Sequence, residues 1–319
     1  MKILEKNIKN KIHLTGIGGI GMSGIAEVLF SQGYKIQGSD LLNNNNTQRL
    51  KKMGIKVFLG HSQKNLKNVN ILVISSAIKK NNTELKFAKK NKIPVYKRSD
   101  MLAALMKYNE SIAVSGSHGK TTTTSLISSV LENANFDPTT IIGGIVNQYK
   151  STTRIGKSNW MVVEADESDG SLIDLFPKIA VLTNINKEHM DFYKNYSNLK
   201  KYFLNFTNNI PFDGVAIYCN DNTDLKKLLL ESKKRNKISY GLNKDSDVKA
   251  TNILINEKGS FFDINIKKKN LLKKETINKI RLNVLGRHNI QNSLAAVTVA
   301  KILNINTNKI KKAFQKFKG

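Results

Sequence analysis

The stretch Ser115-Gly116-Ser117-His118-Gly119-Lys120-Thr121-Thr122-Thr123-Thr124 restricts this chain more than any other. It follows the apolar run Ile112-Ala113-Val114 and leads into residues 125–131, which have helical composition and no breaker. A strand, a glycine-bearing turn, a lysine and a hydroxyl at a helix start together make a phosphate cradle. The unpaired N–H groups of the first helical turn point at the anion, and the helix dipole favours it. Lys120 is placed to meet the β- and γ-phosphates of a nucleotide, and Thr121 to hold Mg²⁺. The common form of this loop has a glycine five residues before Gly119, where Val114 stands, so the loop is a variant.

A second glycine loop lies near the start. Lys11-Ile12-His13-Leu14-Thr15 reads as a strand, followed at once by Gly16-Ile17-Gly18-Gly19-Ile20-Gly21 and by helical periodicity over 22–30. The next strand, Lys35-Ile36-Gln37-Gly38, ends at Ser39-Asp40. This is a βαβ start with the G-x-G-x-x-G spacing at Gly16, Gly18 and Gly21, and Asp40 placed to accept from a ribose hydroxyl. Taken alone, the fingerprint is that of a Rossmann unit and does not distinguish NAD from another nucleotide diphosphate. Strand ends also fall before His61 and at Ser75-Ser76, after Ile71-Leu72-Val73-Ile74. Open parallel sheets collect ligands at the carboxyl ends of strands, so these positions converge on one site. The tract Asn43-Asn44-Asn45-Asn46 reads as a surface loop.

A polar break at Lys107-Tyr108-Asn109-Glu110 divides the chain into domains of 1–108 and 109–319. In the second, Trp160-Met161-Val162-Val163 runs into Glu164-Ala165-Asp166-Glu167-Ser168-Asp169, four of the chain's 24 acids within six residues. A strand that ends in a carboxylate suits metal-bound ATP, because Mg²⁺ takes oxygen ligands and needs only one or two carboxylates. Ile179-Ala180-Val181-Leu182-Thr183 ends shortly before Glu188-His189-Met190-Asp191, which puts His189 at another carboxyl end. Residues 248–282 alternate as antiparallel strands would, and helices are expected over 224–234, 293–303 and 307–317.

The net charge of +28 is carried mostly by lysines dispersed along the chain, not by clustered arginines interleaved with aromatics, so no nucleic-acid partner is expected. No apolar run approaches the ~20 residues of a membrane span, and Met1-Lys2-Ile3-Leu4-Glu5-Lys6 lacks a signal-peptide core. The single Cys219, in an apolar strand, reads as a structural thiol in a reducing compartment. The expected location is the cytoplasm.

Taken in order, these motifs resemble the Mur ligase family. The matching pieces are Gly16-Ile17-Gly18-Gly19-Ile20-Gly21-Met22-Ser23-Gly24, Ser75-Ser76-Ala77-Ile78, the loop at 116–123, Glu164 to Ser171, Glu188-His189-Met190-Asp191 and Gly286-Arg287-His288-Asn289-Ile290-Gln291-Asn292. The resemblance implies an α/β fold: a Rossmann-like parallel-sheet domain that binds a UDP-sugar, then a central P-loop-type domain that binds ATP. It implies that ATP phosphorylates the lactyl carboxylate of UDP-N-acetylmuramate and that L-alanine attacks the acyl phosphate, a step of peptidoglycan synthesis. By resemblance, Gly116, Ser117, His118, Gly119, Lys120, Thr121 and Thr122 take the ATP phosphates, and His288, Asn289 and Asn292 the adenine side. Lys120, Glu164 and His189 are the catalytic set, with Thr121, Glu164 and His189 holding Mg²⁺. Gly16, Gly18, Gly19, Gly21, Met22, Ser23, Asp40, His61, Ser75 and Ser76 take the UDP-sugar. Related ligases adding later residues carry a carbamylated lysine some fifteen residues after the equivalent of His189. Here Tyr202-Phe203-Leu204-Asn205-Phe206 occupies that region, as in the alanine-adding branch. The family's third domain is not expected within these 319 residues, so a separately encoded domain is a candidate partner. A binding module without turnover, or a P-loop ATPase of another kind, are the readings that would replace a ligase.

Overall fold

Short β-branched runs bounded by glycine or asparagine supply the strands, and each of two units builds one sheet from them. The computed structural model describes residues 10–146 and 151–319. The amino-terminal residues read above for a signal lie outside the described part. The units are Met1–Tyr108 and Asn109–Gly319.

In the first unit, strands β1 (Lys11–Thr15), β2 (Lys35–Asp40), β3 (Lys56–Leu59), β4 (Ile71–Ile74) and β5 (Val95–Lys97) alternate with helices α1 (Ile20–Ser31), α2 (Asn45–Lys52), α3 (Thr83–Lys90) and α4 (Arg98–Lys107). The order is β3-β2-β1-β4-β5, parallel throughout. The chain reverses direction across the sheet between β1 and β4, the switch point where such sheets bind ligands. Ser75 N–H donates to the Thr15 carbonyl at 3.1 Å, which seats the end of β4 beside the glycine loop. The asparagine tract is not a plain loop. Asn44 accepts from Thr47 N–H and caps α2, because an asparagine side chain satisfies a helix start that the backbone leaves open.

The second unit contains β6 (Glu110–Ser115), α5 (Lys120–Asn133), β7 (Thr139–Val146), β8 (Ser151–Arg154), β9 (Trp160–Glu164), β10 (Ile179–Leu182), α6 (Met190–Tyr193), α7 (Tyr196–Asn208), β11 (Val215–Cys219) and α8 (Thr223–Glu231). It continues with β12 (Lys237–Gly241), β13 (Val248–Asn256), β14 (Gly259–Ile266), β15 (Glu275–Leu282), α9 (Arg287–Ile302) and α10 (Thr307–Lys316). The ten strands run β15-β14-β13-β12-β11-β10-β6-β9-β7-β8. Pairing is parallel from β13 to β7 and antiparallel at both flanks. The antiparallel strands expected over 248–282 are β13 to β15. α9 starts six residues earlier than its apolar stretch suggests, at Arg287, so the polar run 287–292 is its first turns.

The centre of this sheet is dry. Ile112, Ala113, Val114, Val162, Val163, Ala180, Val181 and Leu182 are fully buried, as are Leu126, Ile127 and Leu131 of α5, which packs against α9. Burying a branched side chain of this kind stabilises by about 1.5–3 kcal/mol, so the loop after β6 is mounted on a well-buried part of the unit. Cys219 is buried, and burial pushes its thiol up to about 12, in keeping with a structural thiol.

Candidate active site

Gly119 caps α5 in the left-handed conformation (φ 80°) and offers no side-chain oxygen to the helix. The first-turn N–H groups therefore remain available to an anion. Gly116 has φ 141°, and a Cβ there would run into Thr183 Oγ1. The end of β10 clamps the turn. Thr183 Oγ1 donates to the His118 carbonyl at 2.7 Å, Asn184 Oδ1 accepts from His118 N–H at 2.9 Å, and Asn186 N–H donates to Ser117 Oγ at 2.9 Å. The segment that follows a neighbouring strand thus helps to set the shape of the loop. Thr121 and Thr122 are half-buried on the first turn.

Lys120 turns back over the loop. Its Nζ donates to the Gly116 carbonyl at 2.7 Å and lies 3.0 Å from each carboxylate oxygen of Glu167. Glu167 is almost wholly buried, and only one of its two oxygens receives a well-directed hydrogen bond. Burial pushes its carboxyl above the usual range, with Lys120 opposing. Glu164, at the end of β9, accepts from Thr121 Oγ1 at 3.0 Å and from Gly143 N–H at 2.8 Å. Burial raises its carboxyl too, against those two donors and Lys120.

His189 stands at the start of α6 in the left-handed region (φ 56°). Its Nε2 is 3.6 Å from Glu167 Oε1, and one ligand atom each from Glu167, Glu188 and His189 falls within 4.8 Å of the others. The candidate metal residues therefore divide: Thr121 goes with Glu164, whereas His189 goes with Glu167 and Glu188. The sequence singled out neither of those two acids individually, although four acids in six residues marked the region. Oxygen-rich donors, with one buried carboxylate oxygen lacking a directed donor, fit Mg²⁺.

The start of α9 reaches the same loop. A Cβ on Gly119 would lie 2.8 Å from Asn292 Oδ1, and Asn292 Nδ2 approaches Asn289 Oδ1 at 3.4 Å. Gln291 Nε2 donates to Asp221, which also accepts from the N–H groups of Leu242 and Asn243. His288 is exposed, with its ring against Gly286. Of the two lysines, Lys200 and Lys201, that precede the carbamate position of related ligases, Lys200 is paired with Asp224 at 2.6 Å, while Phe203 and Phe206 fill the core.

In the first unit, Gly16 (φ 80°) lies against Ser75, and Asp40 Oδ2 accepts from Gly18 N–H at 2.8 Å. Asp40 thus holds the glycine loop closed. Asn44 and Asn46 donate to the Gly18 carbonyl. Gly19 is exposed and Ser76 is exposed at the end of β4. Met22 and Ser23 are buried, with Ser23 Oγ donating to the Ile20 carbonyl, so their side chains pack α1. A Cβ on Gly21 would lie 3.1 Å from Arg98 Cδ. Arg98 at the start of α4 is thereby a cation beside the loop that the linear spacing does not reveal. His61 Nδ1 is 2.9 Å from Ser39 Oγ, above the fully buried Glu84.

Comparison with known proteins agrees with this architecture. Residues 114–300 match the Mur ligase middle domain, and residues 11–110 match the Mur ligase family, catalytic domain. UDP-N-acetylmuramate--L-alanine ligase of Rickettsia rickettsii is 48% identical over the whole chain, which spans 67% of that relative's length. The counterpart from Rickettsia felis is 48% identical over 97% of the chain, which covers 65% of it. Among solved structures, UDP-N-acetylmuramate-alanine ligase from Thermotoga maritima superposes with a TM-score of 0.82 at 26% identity, over 97% of this chain and 69% of that one. The UDP-N-acetylmuramate:L-alanyl-gamma-D-glutamyl-meso-diaminopimelate ligase of Neisseria meningitides shares the fold at TM-score 0.87 and 24% identity, covering 97% and 98% of the two chains. With family matches running from 11 to 300 and a relative nearly half identical over the whole of this chain, the chain belongs to the Mur ligase family.

Proposed function

We propose that the chain takes part in ATP-dependent amide formation between L-alanine and the lactyl carboxylate of UDP-N-acetylmuramate, in the cytoplasm, as a step of peptidoglycan precursor synthesis. The observation that carries this reading is the cluster Lys120, Thr121, Glu164 and Glu167 at the carboxyl ends of β6 and β9, beside a helix start with free N–H groups. In this reading residues 1–108 bind the UDP-sugar through Gly16, Gly18, Gly19, Gly21, Asp40, His61, Ser75 and Ser76. Residues 109–319 bind ATP through the loop at 116–122 and the start of α9, with Asn289 and Asn292 on the adenine side.

The lactyl carboxylate attacks the γ-phosphorus of ATP, and the bond to the β-phosphate oxygen breaks to release ADP. The amine of L-alanine adds to the resulting acyl phosphate, loses a proton, and expels inorganic phosphate from the tetrahedral intermediate. Positioning and charge neutralisation dominate such transfers. Lys120 leaves Glu167 and the Gly116 carbonyl to meet the transferring phosphoryl group, while the first turn of α5 holds the remaining oxygens. Thr121 and Glu164 would hold Mg²⁺, with His189, Glu167 and Glu188 at a second position; the ion supplies charge neutralisation on the phosphate oxygens. Glu164 keeps its place because hydrogen bonds from Thr121 Oγ1 and Gly143 N–H fix it before substrate arrives.

The test is phosphate release from ATP, measured with each substrate omitted in turn. The proposal predicts release that needs both L-alanine and UDP-N-acetylmuramate. Hydrolysis indifferent to both would mark an ATPase of another kind, and binding of both nucleotides without turnover would mark a binding module.

A further inference from the structure

The hydrogens around Glu84 can be counted, and the count fixes the state of His61. Glu84 lies at the start of α3 and is fully buried. Its Oε2 accepts from Thr15 Oγ1 and Ser39 Oγ, both at 2.7 Å, with His13 Nε2 at 3.3 Å. Its Oε1 accepts from Asn65 Nδ2 at 2.8 Å and from Ser62 N–H at 3.2 Å. Burial alone would raise this carboxyl, yet the hydrogen bond and electrostatic attraction of His13, with hydrogen bonds from Ser39 and Thr15, bring it down to about 2. It is therefore an ionised group that only accepts.

Ser39 has one hydroxyl hydrogen and three polar neighbours: Glu84 Oε2 at 2.7 Å, His61 Nδ1 at 2.9 Å and His13 Nε2 at 3.2 Å. An oxygen lone pair facing an ionised carboxylate at that distance is repulsive, so the hydrogen lies between Ser39 and Glu84. Ser39 Oγ is left as an acceptor, and His61 must carry its hydrogen on Nδ1. The other histidine is fixed independently. Gln37 Nε2 donates to the Asn65 carbonyl at 2.6 Å, which settles the orientation of the amide, because a carbonyl cannot donate. The second amide hydrogen points to His13 Nδ1 at 3.1 Å, so His13 carries its hydrogen on Nε2, towards Ser39 and Glu84. Among the described residues His61 Nε2 has no hydrogen-bond partner, and the side chain is 10% exposed.

We propose that Glu84, acting through Ser39, is a positioning residue that fixes the Nδ1–H tautomer of His61, so that Nε2 meets the UDP-sugar as a bare hydrogen-bond acceptor. His61 then selects a ligand that offers an N–H or O–H at that point and disfavours one that offers a lone pair. This rests on the reading of residues 1–108 as the UDP-sugar site.

Long-range ¹H–¹⁵N correlation on the histidine-labelled chain reads each tautomer directly. The His61 signals are identified by their loss in His61→Gln. The expected result is His61 protonated on Nδ1, His13 on Nε2, and a His61 Nε2 signal that moves when UDP-N-acetylmuramate is added. Glu84→Gln should release the Ser39 hydrogen, mix the His61 tautomers and weaken UDP-N-acetylmuramate binding about tenfold. If that variant does not fold, the wild-type spectrum still decides. A wild-type His61 protonated on Nε2 overturns the proposal. Protonation on Nδ1 with an Nε2 signal unmoved at saturating UDP-N-acetylmuramate overturns the acceptor role and the placing of the UDP-sugar here, while leaving the tautomer assignment intact.

Discussion

Glu167 is a nearly buried carboxylate whose charge is met by one ammonium, that of Lys120 at 3.0 Å. Removing one member of such a pair is costlier than replacing both, because the remaining charge is left in a dry site. Lys120→Met should therefore lower unfolding free energy by about 2–3 kcal/mol, and adding Glu167→Gln should recover much of it. Chemical denaturation of the two single variants and the double variant measures the coupling. Glu84 carries a pH signature of its own. Its folded carboxyl is depressed to about 2 from an ordinary 4.5, so its contribution is present above pH 4.5 and lost as pH falls towards 2. That contribution is on the order of 3 kcal/mol, and Glu84→Gln should flatten the acid limb of a stability-against-pH curve. Lys120 and Thr121 were legible in the sequence because a strand, a glycine turn and a hydroxyl fall in consecutive positions, and Glu164 because an apolar strand runs straight into a cluster of acids. Glu84 and Arg98 were not, because each meets its partners only through the tertiary fold.

Between elements, the clamp from the end of β10 onto the loop before α5 sets the cradle. Thr183 Oγ1 donates to the His118 carbonyl and lies near that of Ser115, so Thr183→Val removes the link while preserving volume. The expected effect is a modest loss of stability, about 1 kcal/mol, with ATP affinity reduced about tenfold; calorimetric titration with ATP checks it. Asn292 makes the same loop intolerant of a side chain at 119. Gly119→Ala combines a left-handed backbone with a 2.8 Å approach to Asn292 Oδ1 and should cost about 1–3 kcal/mol. The elements hardest to read from sequence were β7 and the first turns of α9. In β7 the pair Gly143-Gly144 weakens the strand pattern. Its physical reason is that a Cβ at 143 would fall 2.9 Å from the Glu164 carboxylate. In α9 the polar run 287–292 hides a helix start, because those side chains serve the loop and Asp221 rather than the core.

At the scale of the molecule, each unit carries its own glycine loop at the carboxyl edge of its own parallel strands. The α/β class and the two sheets followed from the spacing of strands and glycines. The division of candidate metal ligands into two groups did not, since it depends on where 164, 167, 188 and 189 meet in space. Dispersed lysines give the chain a charge of +28, which favours anionic ligands at both loops. The account assigns ATP to one unit and the UDP-sugar to the other, and that division is its central claim. Calorimetric titration of wild type and Lys120→Ala with Mg²⁺-ATP, and separately with UDP-N-acetylmuramate, tests it most directly. The predicted result is that Lys120→Ala weakens ATP binding by about thirtyfold or more while UDP-N-acetylmuramate affinity stays within about twofold. Loss of UDP-N-acetylmuramate binding in that folded variant, or ATP binding unchanged by it, would contradict the account.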